Sequence, residues 1–272
     1  MKILVTGHNG FIGKNLCLYL RSKGLTVEGY EYDSYKLPSI SKFDCVMHLG
    51  AISSTTEKDV DLVMNRNYDF SRWIFKECKK YKIKLQYASS ASVYGTGTNF
   101  SENAPKQPQS PYAWSKYLFD RWVSNQDYEN LVQGLRYFNV YGPHEGHKED
   151  QSSPIHKFTN QAKSIGSISL FENSDKYVRD FVCVQDVCRV HYKLLQHNKS
   201  DIFNVGTGSP VSFQHVANLI AKKYNSDINY IKMPDNLKGQ YQEYTCANID
   251  KLTSAIDINF RTIEEYLNGQ NN

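Results

Sequence analysis

The sequence predicts an α/β fold: a doubly wound parallel sheet with a smaller α/β lobe interleaved into it. Three observations carry this. An apolar run at the start of the chain passes straight into a glycine turn and an amphipathic stretch. Short apolar strands then alternate with helical patterns as far as residue 139, and after Tyr141-Gly142-Pro143 that rhythm changes.

Residues 2–6 (KILVT) are a short apolar run of the buried-strand type, and residues 7–13 (GHNGFIG) follow directly. Residues 11–23 carry apolar positions at helical spacing, so the opening unit is strand, glycine turn, helix. Further strands are predicted at 25–31 (LTVEGYE) and at 43–49 (FDCVMHL), which runs into Gly50-Ala51. A helix over 59–81, a strand over 83–90 (IKLQYASS), a helix over 111–127 and a strand over 131–139 (LVQGLRYFN) continue the alternation. Strands joined through helices need crossovers, which give a parallel sheet covered on both faces. Beyond the polar loop 144–154 (HEGHKEDQSSP), a helix is expected over 155–164 and a strand over 168–171. Residues 179–195 read as a strand turning into a helix, and 202–205 (IFNV) as a strand able to rejoin the first sheet. Helical patterns at 213–224 and 263–267 lie among short strands.

Composition narrows the function. With 272 residues, 40% hydrophobic and 22% charged, the chain can bury a sizeable core and is neither disordered nor fibrous. The net charge of +4 is spread without basic runs, so nucleic acid and anionic membranes are not expected partners. No apolar run approaches the roughly 18 to 20 residues of a membrane helix. Six cysteines include no C-x-x-C pair and Met1 leads into a strand rather than a signal peptide, so reduced thiols and a cytoplasmic location are expected. His144 and His147 stand in one loop without H-E-x-x-H or a cysteine cluster, so no metal site is expected.

The glycines of residues 7–13 are spaced G-x-x-G-x-x-G. This spacing lets the backbone turn tightly and approach a pyrophosphate, whose charge the free N–H groups and dipole of the next helix favour. Set between strand and helix, it predicts a Rossmann-type NAD(P) site formed by Gly7, Asn9, Gly10, Phe11, Ile12 and Gly13, with Leu49, Gly50 and Ala51 following the third strand. Glu31 ends the second strand, where a carboxylate accepts hydrogen bonds from ribose hydroxyls. A carboxylate there repels a 2′-phosphate and favours NAD, whereas Lys36 and Lys42 nearby would offset it and admit NADP. Only eleven residues separate Glu31 from Phe43, too few for a further helix and strand, so part of the adenine side is expected to be truncated or replaced by loop. The division that follows gives 1–139 and 181–208 to dinucleotide binding, and 140–180 and 209–272 to a substrate-binding lobe.

Ser90, Tyr112 and Lys116 supply the chemistry. Tyr-x-x-x-Lys opens a helix, and its i, i+4 spacing puts the ammonium beside the phenol. A phenol titrating near pH 10 is a poor base at neutral pH unless a cation stabilises the phenolate, which Lys116 and a nicotinamide both offer. Ser90, at the end of the preceding strand, is placed to hydrogen-bond the reacting hydroxyl or carbonyl.

These residues carry a resemblance. The glycine turn, YASSASVYG at 87–95 and YAWSK at 112–116 resemble the extended short-chain dehydrogenase/reductase superfamily of nucleotide-sugar epimerases and dehydratases. Within it, the strings at 53–59 (SSTTEKD), 136–148 (RYFNVYGPHEGHK), 170–182 (LFENSDKYVRDFV), 202–208 (IFNVGTG) and 234–245 (PDNLKGQYQEYT) are similar, in order, to the ADP-L-glycero-D-manno-heptose 6-epimerase family. That resemblance implies an isomerase serving bacterial-type surface polysaccharide or lipopolysaccharide synthesis. It implies a nucleotide-sugar substrate, a tightly bound NADP and a homo-oligomer. A hydride would pass from the sixth carbon of the heptose to the cofactor and return to the opposite face, with no net oxidation. Two acid/base groups suit such a reaction, and the resemblance matches them to Tyr112 and Lys148. A lysine serving as base needs its pKa lowered by burial or by nearby positive charge.

By the same matching, Asn67 and Asn139 would touch cofactor or substrate, Arg179 would grip the ADP diphosphate, and Phe171 would pack near the adenine. Lys157 joins the substrate set, and Tyr241 would donate to phosphate. His144 and Gln240 stand where the family has arginine, which weakens the expected grip on the nucleotide. Ser92-Val93 replaces the Asp-Glu pair of sugar 4,6-dehydratases, which disfavours water elimination. Another nucleotide-sugar 4-epimerase or reductase is the alternative enzyme; a non-catalytic NAD(P) sensor or scaffold is opposed by the intact Ser90, Tyr112 and Lys116.

Overall fold

The computed structural model describes residues 1–33, 36–234 and 242–269, with Glu149 and Asp150 described in their backbone alone. Strand β1 (Lys2–Thr6) leads through the glycine turn to α1 (Phe11–Ser22), then β2 (Thr26–Tyr30) and β3 (Cys45–His48). A helical arm follows, made of α2 (Val60–Val63), a wider π-type stretch (Met64–Asp69) and α3 (Phe70–Lys80). Then come β4 (Lys84–Ser90), α4 (Pro111–Ser124), β5 (Val132–Tyr137) and β6 (Asn139–Tyr141). The chain continues through α5 (Pro154–Ile165), β7 (Ser167–Phe171), β8 (Val178–Arg179), β9 (Phe181–Cys183), α6 (Val184–Leu194) and β10 (Asp201–Val205). Strand β11 (Val211–Ser212), α7 (Phe213–Tyr224), β12 (Asp227–Ile231), α8 (Asp250–Ala255) and α9 (Ile263–Asn268) complete it.

The main sheet is parallel throughout, with strand order β10-β5-β4-β3-β1-β2. Period-two alternation sends side chains to opposite faces, and the chain exploits this strictly. Ile3, Val5, Cys45 and Met47 meet Leu16 and Leu20 of α1 and Cys188 of α6. Their strand neighbours Leu4, Val46 and Leu85 meet Phe70, Ile74 and Phe75 of α3 and Phe119 and Val123 of α4. Burial on both faces explains why these strands read as continuous apolar runs.

The short connection after β2 has the expected consequence: β2 is the sheet edge, and the described residues between β2 and β3 hold no strand or helix. Aromatic packing fills part of that space. The Tyr32 ring stands 4.8 Å from Phe70 at a T-shaped angle, Trp73 stacks on Phe70 at 5.9 Å, and the Arg66 guanidinium lies 4.0 Å above Tyr32.

The smaller lobe grows from the sheet and returns to it. Strand β6 pairs in parallel with β9, α6 runs back onto α1, and β10 joins β5. Strands β7 and β12 form a parallel pair whose Ile168 and Leu170 share a core with Phe158 of α5, Val216 and Ile220 of α7, and Leu267 of α9. Asp180 fastens the junction, accepting the backbone N–H groups of Thr207 at 2.7 Å, Gly208 at 2.9 Å and Ala247 at 2.9 Å. All six cysteines are free thiols. No helix among the described residues is long and apolar enough to cross a membrane.

Candidate active site

The glycine turn is shaped for close approach. Gly7 has φ +69°, and a Cβ placed on it would stand 2.7 Å from the Gly50 backbone. A Cβ on Gly13 would stand 2.0 Å from the Gly7 carbonyl oxygen, so α1 and the turn tolerate no side chain there. Gly10 caps α1 without a side-chain hydrogen bond, which leaves the first-turn N–H groups for an anionic ligand. Gly7, Gly10, Phe11, Ile12, Gly13, Glu31, Leu49, Gly50, Ala51, Tyr112 and Lys116, all expected at the cofactor, line one cleft of about 480 Å³. A glycine cradle, an open helix N-terminus and a carboxylate at the end of β2 fit a dinucleotide.

Two of the expected cofactor residues, Asn9 and Asn67, are not among those that line this cleft. Asn9 has an exposed side chain, and its backbone N–H donates to Glu31 Oε1 at 2.7 Å. Asn67 is buried in the π-type stretch with its carboxamide wholly engaged inside the chain. Its Oδ1 accepts the Ile52 N–H at 2.7 Å, and its Nδ2 donates to the Ile52 carbonyl at 2.9 Å and to Ser115 Oγ at 3.1 Å. Asn67 therefore braces the Gly50-Ala51 loop against α4 from behind, instead of facing the cleft. Lys42, read as a cation that could offset Glu31, instead pairs with Glu28 at 2.7 Å.

Helix α4 brings up the phenol. Ser110 caps it, accepting the Ala113 N–H at 3.2 Å, and Pro111 preorganises the first turn. Ser90 ends β4, and its Oγ accepts from the Ser92 N–H at 3.2 Å and the Ser92 hydroxyl at 3.0 Å. Burial raises the Tyr112 pKa, and contact with the Ser90 hydroxyl opposes that rise. Lys116 is 5% exposed, donates from Nζ to the Ala88 carbonyl at 2.9 Å, and stands 5.9 Å from the centre of the Tyr112 ring. Burial pushes the Lys116 pKa down to about 8, with Asp120 acting against the fall. In this arrangement the phenol is held protonated, so Tyr112 begins as an acid and needs further positive charge in the cleft to become a base.

Lys148 reaches the same cleft from the other lobe, with Nζ 5.6 Å from the centre of the Phe11 ring. Burial lowers its pKa and Glu145 opposes the shift. The loop that carries it is tied at several points. The buried Glu145 carboxylate accepts the Gly142 N–H at 3.1 Å, the Ser153 N–H at 2.7 Å and the Ser153 hydroxyl at 2.8 Å. Asn15 of α1 donates to the Pro143 carbonyl at 2.8 Å. Glu145 and Asn15 thus position Lys148, and neither was singled out from the sequence; the EGHK string was the only signal for Glu145. Ser53, Tyr137, His147 and Gln151 also line the cleft and were missed.

Most of the expected substrate residues gather in the smaller lobe. Lys157 and Phe171 line a second cavity of about 280 Å³ together with Phe158, Tyr177 and Phe213. Ser152 and Pro154 border that cavity while Lys148 and Gln151 border the first, so one short segment connects the two. Arg179 is buried, donates to the Val178 carbonyl at 3.0 Å and to the Gln242 carbonyl, and lies 5.7 Å from the Phe213 ring. Asn139 is exposed on β6, with its N–H donated to the Asp180 carbonyl at 3.0 Å. Tyr241 and Gln240 lie outside the described residues. Among the described residues no group of histidine, cysteine and acidic side chains could hold a metal ion.

A profile of the NAD dependent epimerase/dehydratase family matches residues 3–206. The ADP-L-glycero-D-manno-heptose-6-epimerase of Brachyspira hyodysenteriae is 38% identical over 289 residues, spanning 93% of this chain and 91% of that protein. The enzyme of the same name from Alkalilimnicola ehrlichii is 37% identical over 300 residues, spanning 96% and 94%. The crystal structure of Helicobacter pylori ADP-L-glycero-D-manno-heptose-6-epimerase matches with a TM-score of 0.87 at 26% identity, covering 98% of this chain and 94% of that one. Thermus thermophilus UDP-glucose 4-epimerase, solved with NAD, shares the fold with a TM-score of 0.82 at 24% identity over 98% of this chain and 96% of that one. With the family profile spanning the glycine turn, Ser90, Tyr112, Lys116 and Lys148, the chain belongs to the NAD dependent epimerase/dehydratase family and is an epimerase, an isomerase that uses a nicotinamide cofactor.

Proposed function

We propose that the protein interconverts ADP-D-glycero-D-manno-heptose and ADP-L-glycero-D-manno-heptose by transient oxidation at the sixth carbon. One observation carries this reading: Tyr112 and Lys148, two acid/base groups from different lobes, open onto one cleft beside the glycine turn. Inversion at a carbon that bears a hydroxyl needs the hydride returned to the opposite face, and acid/base groups on two sides of the cleft let the sugar oxygen exchange its proton in either orientation.

A bound nicotinamide supplies a reversible hydride acceptor. Tyr112 and Ser90 hydrogen-bond the sugar oxygen in one orientation, and the Tyr112 phenol gains or loses its proton as the carbonyl forms and collapses. Lys116 stays cationic below its pKa of about 8 and favours the phenolate form of Tyr112. Lys148, whose lowered pKa raises the share of neutral amine, takes the proton role in the second orientation. The cavity beside Phe171, Lys157 and Phe213 receives the adenine nucleotide, and Arg179, packed against the Phe213 ring, is the guanidinium assigned to the diphosphate. The cofactor is read as NAD, because Glu31 opposes a 2′-phosphate and, of the two lysines able to offset it, Lys42 is committed to Glu28.

On this reading residues 1–139 and 181–208 hold the cofactor, and 140–180 and 209–272 hold the sugar nucleotide. Exposed Val60, Leu62 and Trp114 on the adjoining α2 and α4 support a homo-oligomer, and free thiols suit the cytoplasm. The test is incubation of the purified protein with ADP-D-glycero-D-manno-heptose and NMR analysis of the heptose. Appearance of the sixth-carbon epimer is expected. No conversion by protein that carries its cofactor would remove the heptose assignment, and turnover of UDP-glucose that is indifferent to Lys148→Met would favour a 4-epimerase.

A further inference from the structure

We propose that His8 determines which nicotinamide cofactor the cleft retains, acting through Glu31; the proposal rests on the NAD reading above. His8 is the bulky residue that follows Gly7 in the turn, and its imidazole lies flat on β2. A Cβ built on Gly29 would stand 2.2 Å from His8 Cδ2 and 2.3 Å from Cγ, so the ring occupies a notch that only glycine leaves open. From that notch Nδ1 comes within 3.1 Å of Glu31 Oε1. The same oxygen accepts the Asn9 N–H at 2.7 Å. His8 Nδ1 is itself buried and has no hydrogen bond among the described residues, so its approach to the carboxylate is one of close packing.

The Asn9 hydrogen bond and the packed His8 ring both meet Oε1 and restrict a side chain that is otherwise 47% exposed. A glutamate held in this way keeps Oε2 for a ribose diol without a further loss of side-chain freedom on binding. It also keeps its negative charge at the position where NADP carries a 2′-phosphate. Released from the notch, Glu31 can swing toward solvent, which weakens its bond to the diol and reduces its repulsion of the phosphate. His8 is thus a positioning residue whose effect reads out as cofactor selectivity.

The experiment exchanges the full-length protein against equal concentrations of NAD and NADP, then releases and quantifies the bound cofactor by mass spectrometry. Wild-type protein is expected to retain NAD over NADP by about tenfold, and His8→Ala to lower that ratio by about fivefold, the upper end for a half-exposed polar contact. Gly29→Ala, which fills the notch and evicts the ring, is expected to shift the ratio in the same direction. Glu31→Gln is expected to bring it near unity, and His8→Ala added to Glu31→Gln to change nothing more, because the two act as one unit. A His8→Ala ratio within twofold of wild type, or above it, overturns the proposal and leaves the NAD reading standing. A full additional effect of His8→Ala in the Glu31→Gln background also overturns it. A wild-type ratio below one defeats the NAD reading, and the role of His8 with it.

Discussion

The Lys116 ammonium is held by the Ala88 carbonyl at 2.9 Å and faces the Tyr112 ring from 5.9 Å. Helical i, i+4 spacing sets the second distance, and the bond to β4 sets the first, so the cation is fixed relative to the phenol before any ligand binds. Its pKa of about 8 gives a signed expectation. Lys116 is charged below that value and neutral above it, so activity that depends on the cation declines as pH rises through about 8. Lys116→Met is expected to lower kcat by about 10²- to 10³-fold and to remove that descending limb. A pH–rate profile of both proteins checks it. The stability trend has the opposite sign. An unfolded lysine titrates near 10.4, so between there and about 8 the unfolded chain binds more protons, and burial of Lys116 costs less as pH rises.

Tyr112→Phe and Lys148→Met are expected each to lower epimerisation by at least about 10²-fold, consistent with one acid/base group apiece. Lys148→Met is expected to leave cofactor retention within about twofold of wild type, because the glycine turn and Glu31 supply most of that binding. Steady-state turnover and bound-cofactor measurements on the same preparations separate the two effects.

His48 and His191 are buried, and burial lowers both pKa values to about 3. Both are bonded as neutral rings: His48 to Thr6 Oγ1 at 2.6 Å and Ser71 Oγ at 2.9 Å, His191 to Tyr137 at 2.6 Å and Gln86 at 2.7 Å. Between the unfolded value near 6.5 and about 3, the unfolded chain binds the extra protons, so stability is lost as pH falls through that window. The slope is about 1.4 kcal/mol per pH unit for each histidine. Urea unfolding at several pH values is expected to show a shallower acid slope for His191→Gln than for wild type.

Asn67→Ala removes the bonds to Ile52 and Ser115 and leaves the half-buried Ile52 N–H and carbonyl without those partners. The expected loss is about 1 to 3 kcal/mol, read as a Tm fall of roughly 3 to 9 °C. Because the Ile52 tether holds the Gly50-Ala51 loop, cofactor retention is expected to weaken along with stability. Asn67→Asp keeps the acceptor for the Ile52 N–H but sets a buried carboxylate against the Ile52 carbonyl, and is expected to lose at least as much of both at neutral pH.

Much of the fold was legible because its signals are local. Residues 213–224 have the spacing of an amphipathic helix and form α7 over those same positions, and KILVT forms β1 without adjustment. The Tyr112–Lys116 pair was legible for the same reason, since a helix converts sequence spacing directly into proximity. Long-range relationships were not. The pairing of β6 with β9 joins residues some forty positions apart, and no periodicity in either segment announces it. Asn67 illustrates the limit at the site: the motif match set it against cofactor or substrate, whereas the π-type stretch turns its carboxamide inward to Ile52. Glu145 was missed because its partners, Gly142 and Ser153, lie on a loop whose closure depends on the lobe behind it. The shortage after Glu31 was plain from counting residues, whereas its filling by Tyr32, Phe70 and Arg66 required three segments to meet.

The most direct test of the proposed chemistry follows an isotope through one turnover. ADP-D-glycero-D-manno-heptose bearing deuterium at the sixth carbon is converted by the holoprotein in ordinary water, and the product is examined by NMR and mass spectrometry. Removal of the hydride and its return within one cleft predicts the L-glycero product with deuterium retained at that carbon. Product that has exchanged its deuterium for solvent hydrogen, or recovery of unchanged substrate, would contradict it.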